Sequence, residues 1–184
     1  MCVAISYVSG QAGMTVYAGP SVAFSSDKIV TPSGAHYGYV IGANARLNSD
    51  GMYFLLSGEY GRYDFLSNNK LSFIGGDDLG YMKGKIGIGF DFLKLSRNMF
   101  LRSKIQGTVL FVNSYNEELL STPLLKTNGY TAINDGVGGL ATSLGISKGI
   151  FSLDLEYDHG LFNIFKEKKS SKMNFLNLVF GVRF

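Results

Sequence analysis

The feature that most constrains this chain is a two-residue alternation of apolar and polar side chains. It recurs in eight separate segments, while no helical period persists over a useful length. A period of two puts successive side chains on opposite faces of a strand, so each segment reads as a strand with unlike faces. In 36–48 the apolar parity is Tyr37, Tyr39, Ile41, Ala43, Ala45 and Leu47. In 81–92, Met82, Ile86, Ile88, Phe90 and Phe92 oppose Lys83, Lys85, Gly87, Gly89 and Asp91. The same alternation runs through 14–25, 52–64, 99–111 and 150–158, more weakly through 135–147, and again through the closing stretch 174–184. Pro20 lies inside the first segment and predicts a bulge or bend, because proline has no ladder donor.

The connections alternate as well. Tight turns fall near 49–51, 95–98 and 147–149, and long connections near 26–35, 65–80, 112–130 and 159–172. This is the loop pattern of an up-and-down meander with its hairpins at one end and its long loops at the other. A chain of 184 residues fits one such domain. Only 17% of residues are charged, against about a quarter in a typical soluble domain. The net charge of +3 is small and its basic residues are scattered, apart from KEKKSSK at 166–172, so no nucleic-acid footprint is expected. The single cysteine, Cys2, excludes an intramolecular disulfide and a Cys-rich metal site.

No stretch approaches the roughly 20 apolar residues of a spanning helix, which leaves strands as the remaining way to cross a membrane. CVAISYVSGQA has the look of the end of an export segment, with Gly10 and Ala12 at the minus-three and minus-one positions, although no basic n-region precedes it. Residues 1–12 are therefore expected to be a signal-peptide remnant or a disordered leader, and 13–184 the barrel domain.

Periodicity shows that the faces differ, not which one is inside. The polar parity carries Arg46, Lys83, Lys85, Arg102, Lys104 and Arg183 together with Glu59, Asp91, Asp154, Glu156 and Asp158. That near-balance suits a crowded polar interior, where unpaired charges are costly and paired ones roughly break even. Glycines such as Gly61, Gly87, Gly89 and Gly145 share this parity and make room for long charged chains. The apolar parity would then face outward on every strand, a liability in water and a requirement in a bilayer. A soluble lipocalin-like barrel, with the apolar parity inside around a ligand, is the alternative.

VYAGPSVAF, YMKGKIGIGFDF, FSLDLEYDHGLFNIF and NFLNLVFGVRF carry a family resemblance. The chain resembles the PorT-like outer-membrane β-barrel domain family of Bacteroidota and, more loosely, the eight-stranded OmpX and OmpA membrane domains. Ser21 and Val22 stand where that family usually has Leu-Asn. The resemblance implies an all-β, eight-stranded antiparallel transmembrane barrel in the bacterial outer membrane, with short periplasmic turns and long extracellular loops. It also implies that Phe180, Val182 and Phe184 form the terminal signal that the barrel-assembly machinery recognises during insertion.

Chemistry-bearing residues are few. His36 and His159 fall at the long-loop rim, and Ser25, Ser26 and Ser33 lie near His36 in sequence. A lipid acyl hydrolase or acyltransferase would use such a set, yet no motif supports one, and loop anchoring is the ordinary role. Asp154, Glu156 and Asp158 are expected to neutralise Arg and Lys rather than to bind a metal. Lys166, Lys168, Lys169 and Lys172 either meet lipopolysaccharide phosphates or form a solvated loop. Tyr37, Tyr53, Tyr63, Tyr81, Phe100, Tyr115, Tyr130, Tyr157 and Phe184, near strand ends, are expected to form interfacial aromatic girdles.

The expected function is a monomeric, non-enzymatic scaffold for envelope structure, adhesion or ligand contact, with a filled lumen and no cofactor. Its expected partners are outer-membrane lipid and lipopolysaccharide, the assembly machinery, and an unidentified extracellular or periplasmic partner. A lipid-modifying enzyme, a small porin and the lipocalin-like barrel are the alternatives.

Overall fold

The computed structural model describes residues 12–25, 35–49, 51–64, 78–114, 132–167 and 171–184. Eight strands form in chain order: β1 (Ala12–Ser25), β2 (Ala35–Ser49), β3 (Met52–Asp64), β4 (Asp78–Ser96), β5 (Met99–Ser114), β6 (Val137–Lys148), β7 (Phe151–Gly160) and β8 (Met173–Arg183). Each pairs antiparallel with its neighbour in sequence, and β8 returns to β1, closing the barrel. Closure leaves no edge strand, so no row of ladder groups is left unpaired at a sheet edge.

The tight connections are all at one end. Gly51 and Gly149 adopt φ of 75° and 60°, the left-handed region that these two tight hairpins use and that glycine enters without a Cβ penalty. These turns also bond to neighbouring elements. Gly149 N donates to Asn98 O at 3.0 Å and Arg183 N to Ile150 O at 2.8 Å.

The apolar parity is outside. Leu56, Ile86 and Leu144 are 63%, 69% and 64% exposed, and the same outward side of the wall carries Ile41, Phe54, Ile105, Leu155 and Phe180. The opposite parity is buried: along β7, every second residue from Ser152 to Gly160 faces the interior and the residues between face out. This is the reverse of a lipocalin-like arrangement, in which the apolar parity would line the inside.

Two local expectations need correction. Pro20 introduces no extra residue, because β1 stays in one register with β2 from Ala12 to Phe24. Instead the β1–β8 ladder skips Gly19 and Pro20 and resumes in the same register at Ser21. The missing donor thus interrupts one ladder without shifting it. A Cβ at Gly19 would lie 1.9 Å from the Leu178 carbonyl oxygen, so glycine there permits the close approach of β8.

The fourth strand also does not end at residue 92. It continues to Ser96 through register shifts between Asp91 and Leu93 and between Lys94 and Ser96, and only Arg97 and Asn98 turn the chain. Each bulge inserts an unpaired residue and breaks the alternation, which is why period two stops short of the strand.

Candidate functional site

The candidate site is the lumen, where the inward parities of all eight strands converge. Its middle tier is built by β3, β4 and β7. Lys83 and Lys85 project from one side, Glu156 and Asp158 from the other, and Glu59 lies beside both lysines. Lys85 Nζ is 2.7 Å from Glu59 Oε2 and also pairs with Glu156. Lys83 Nζ lies 3.3 Å from Glu59 Oε1 and pairs with Asp158 across the barrel. Neutral groups take up further lone pairs. The Tyr17 hydroxyl donates to Glu59 at 3.2 Å, the Asn177 amide to Glu156 at 3.1 Å, and Ser21 to Asn177 at 2.6 Å. Charges removed from water are tolerated only when paired and hydrogen-bonded, and here each carboxylate has both.

Nearer the short turns lies a second tier. Arg102 donates to Asp154 through Nε at 2.9 Å and also through Nη2, and Lys104 Nζ stands 3.3 Å from the same carboxylate. Arg46 Nη2 donates to Asp91 Oδ2 at 2.8 Å, and its guanidinium lies 3.7 Å from the centre of the Tyr53 ring. Arg183 is half-buried at this end. The lumen cavity lined by Arg102, Lys104, Gln106 and Glu156 has a volume of about 10 Å³, room for one water.

Toward the long connections the lumen becomes apolar. Tyr63, Leu79, Tyr81, Leu110, Val137, Met173 and Phe175 pack with Ile164 and Phe165 into one buried cluster. The Tyr81 and Phe175 ring centres are 5.3 Å apart, and the Lys83 ammonium lies 4.0 Å from the centre of the Phe175 ring, joining this layer to the ion pairs below. Ile164 and Phe165 come from the described part of the β7–β8 connection and pack into this cluster. Phe165 bridges Ile133, Asn134 N donates to Ile164 O at 2.7 Å, and Ile164 N donates to Ser171 O at 3.0 Å.

This layer corrects the girdle expectation. Tyr53, Tyr63 and Tyr81 are only 1%, 2% and 0% exposed and lie inside the barrel. Their parity is that of Glu59 and Lys83, and parity overrides the general preference of tyrosine for an interface. Tyr37 and Tyr157 do face outward, as does Phe184; Phe100 is half-buried, and Tyr115 and Tyr130 lie outside the described residues.

The inward glycines have a related explanation. Tyr17 stands opposite Gly42, Tyr53 opposite Gly89, Tyr63 opposite Gly38, and Tyr81 opposite Gly61. A Cβ at Gly61 or Gly89 would lie 2.2 Å from the facing tyrosine ring. At Gly42, Gly61 and Gly89 the glycine space therefore holds rings rather than charged chains, in the manner of aromatic side chains covering strand glycines. Elsewhere it holds polar chains: a Cβ at Gly145 would meet Asp154 Oδ1 at 2.0 Å, and one at Gly87 the Gln106 side chain at 2.9 Å.

The two histidines do not converge. His36 is buried in the lumen, tilted against Tyr63 with ring centres 6.3 Å apart, whereas His159 faces outward, with its Nδ1 3.5 Å from the Tyr157 hydroxyl. Asp158, the nearest acid in sequence, is paired with Lys83. Ser26, Ser33, Lys168 and Lys169, residues 1–11 and the Ser25 side chain lie outside the described residues, while Lys166 and Lys172 are exposed. Phe180 stacks on Phe151 on the outer wall at 5.8 Å, and Phe184 exchanges backbone hydrogen bonds with Met14.

Fold and lumen together define a closed, eight-stranded, up-and-down barrel with a filled interior and an apolar exterior. No family model matches the chain, and comparison with curated proteins yields no match. Among solved structures it is similar to Neisserial surface protein A, with 16% identity, 94% of this chain and 97% of that one covered, and a TM-score of 0.55. The N-terminal β-barrel domain of Pseudomonas aeruginosa OprF aligns at 13% identity over 95% of this chain and 99% of that one, TM-score 0.48. Ail, the attachment invasion locus protein of Yersinia pestis, in a complex with the heparin analogue sucrose octasulfate, aligns at 15% identity over 95% and 99%, TM-score 0.46. At 16% identity the likeness to Neisserial surface protein A speaks for the barrel architecture and not for binding or activity.

Proposed function

We propose that this protein is a bacterial outer-membrane barrel whose lumen is structural and whose long connections provide a contact surface for envelope structure, adhesion or ligand contact. The observation that carries the reading is the inversion of the wall: apolar side chains outside on the strands, ion pairs and a sealed aromatic layer inside. In water that exterior would drive aggregation; in a bilayer it is the required surface, and closure satisfies the backbone. Short turns then face the periplasm and long connections the exterior, as in bacterial barrels generally.

A non-enzymatic role is favoured because His36 and His159 face opposite sides of the wall. The small enclosed volume argues against steady conduction. In this account the barrel is monomeric and contacts outer-membrane lipid and lipopolysaccharide, and Phe180, Val182 and Phe184 present the assembly signal at the end of β8. Its kinship with PorT-like domains rests on the four stretches of sequence that resemble them. The test is gel migration of detergent-folded protein before and after boiling, together with cell fractionation. A heat-dependent shift and an outer-membrane location are expected; a soluble protein without a shift would end the proposal.

A further inference from the structure

Charge in the lumen is segregated along the barrel axis. The middle tier sets Lys83 and Lys85 against Glu59, Glu156 and Asp158, a deficit of positive charge. The tier nearest the short turns sets Arg46, Arg102, Lys104 and Arg183 against Asp91 and Asp154, a surplus. Asp91 is engaged by Arg46 through Oδ2 alone, its Oδ1 having no hydrogen-bond partner among the described residues, and Asp154 is engaged by both Arg102 and Lys104, so four cations share two carboxylates in this tier. The Arg183 side chain runs over Gly13, where a Cβ would lie 3.8 Å from its Cδ, and Gly13 pairs directly with Arg46 in β2. Two guanidinium-bearing residues thus converge across β1.

A second observation points the same way. Tyr53, held beneath the Arg46 guanidinium and 1% exposed, reaches over Gly89, which is paired with Lys104, and its hydroxyl has no hydrogen-bond partner among the described residues. Four cations against two carboxylates, beside an unused buried donor, make a tier that favours a further anion. The exposed Lys94, Arg97 and Lys148 near the short turns add to the positive potential at this mouth.

We propose that the short-turn mouth of the barrel binds a phosphate group, with Arg183 and Arg46 as its main contacts and the Tyr53 hydroxyl as an additional donor. The enclosed cavity of about 10 Å³ beside Arg102 and Lys104 is too small for an oxyanion, so the ligand sits at the open mouth where Arg183 is half exposed. Arginine suits this task because its planar fork matches phosphate oxygens in pairs. Free phosphate and the headgroup of an anionic phospholipid offer the same chemistry. The site depends on the barrel geometry alone, so an unsuccessful fractionation experiment would leave it standing.

The test titrates inorganic phosphate against the folded barrel in zwitterionic detergent, at constant ionic strength balanced with chloride, following arginine side-chain NMR resonances. Saturable shifts of the Arg183 and Arg46 signals are expected. Arg183→Gln should weaken phosphate roughly tenfold, the scale of one lost charge-assisted contact. Tyr53→Phe, which keeps the ring under Arg46, should weaken it severalfold, and Lys166→Gln, an exposed lysine at the opposite end of the barrel, should leave it unchanged. Non-saturating shifts, equal affinity in Arg183→Gln, or loss of binding in Lys166→Gln would overturn the proposal. Repeating the titration in nanodiscs with and without phosphatidylglycerol separates the sources. Competition assigns the lipid headgroup, and unchanged affinity assigns free phosphate.

Discussion

Replacing Lys85 by methionine tests whether the lumen ion pairs are truly removed from water. Lys85 stands between Glu59 and Glu156, and all three side chains are at most 7% exposed. The substitution keeps most of the side-chain length but deletes the charge that both carboxylates share. Breaking a buried pair by removing one partner costs about 3–5 kcal/mol, because a charge is left behind. Part of that loss is offset here, since Glu59 retains Lys83 and the Tyr17 hydroxyl, and Glu156 retains the Asn177 amide. The low end, about 3 kcal/mol or roughly a 150-fold change in the folding equilibrium, is therefore expected. Urea unfolding of the barrel in lipid vesicles, read by gel mobility, measures it. Adding Glu156→Gln to Lys85→Met should recover part of the loss, with a coupling of about 0.5–3 kcal/mol. A loss below about 1 kcal/mol with no coupling would mean that water already solvates the ammonium, as at exposed ion pairs, and would refute the filled-lumen argument.

The glycine–tyrosine pairs give a sharper contrast. Gly89→Ala places a Cβ 2.2 Å from the Tyr53 ring and should cost about 1–3 kcal/mol, whereas Gly58→Ala meets nothing within 4 Å and should be neutral or slightly stabilising in the same unfolding assay. Ile164→Ala should loosen the layer that closes the long-loop end, at a cost of about 2–5 kcal/mol if the whole barrel feels it. Limited trypsin digestion should then cut faster at exposed Lys166; unchanged cleavage would show that Ile164 does not pin the segment. Ile86→Arg, on the outer wall, should destabilise the vesicle-embedded barrel by about 2–4 kcal/mol if Ile86 lies near the bilayer midplane.

The strands were legible because each has two unlike faces, and period two survives wherever the ladder is regular. The uninterrupted alternation of β7 from Phe151 to Gly160 is the clearest case. The charged residues could be grouped on one face by the same parity, although sequence alone did not establish which pairs would meet. Lys83 and Asp158 lie on β4 and β7, strands that are not neighbours, so their contact depends on the narrowness of the closed ring. Parity rather than residue type decides the inward position of Tyr53, Tyr63 and Tyr81, and the glycines facing the Tyr53 and Tyr81 rings are the sequence signal for it. The inward fold of Ile164 and Phe165 had no periodic signature at all. It belongs to irregular chain, held by a bridge to Ile133 and by Ser171.

The central claim is that the apolar wall faces lipid. Because the chain contains no tryptophan, a single Ile86→Trp substitution supplies an unambiguous fluorophore on that wall. In vesicles whose acyl chains carry bromine, the account predicts strong quenching of this tryptophan with emission shifted to the blue. Unquenched, red-shifted emission from a folded barrel would place the wall in water and contradict it.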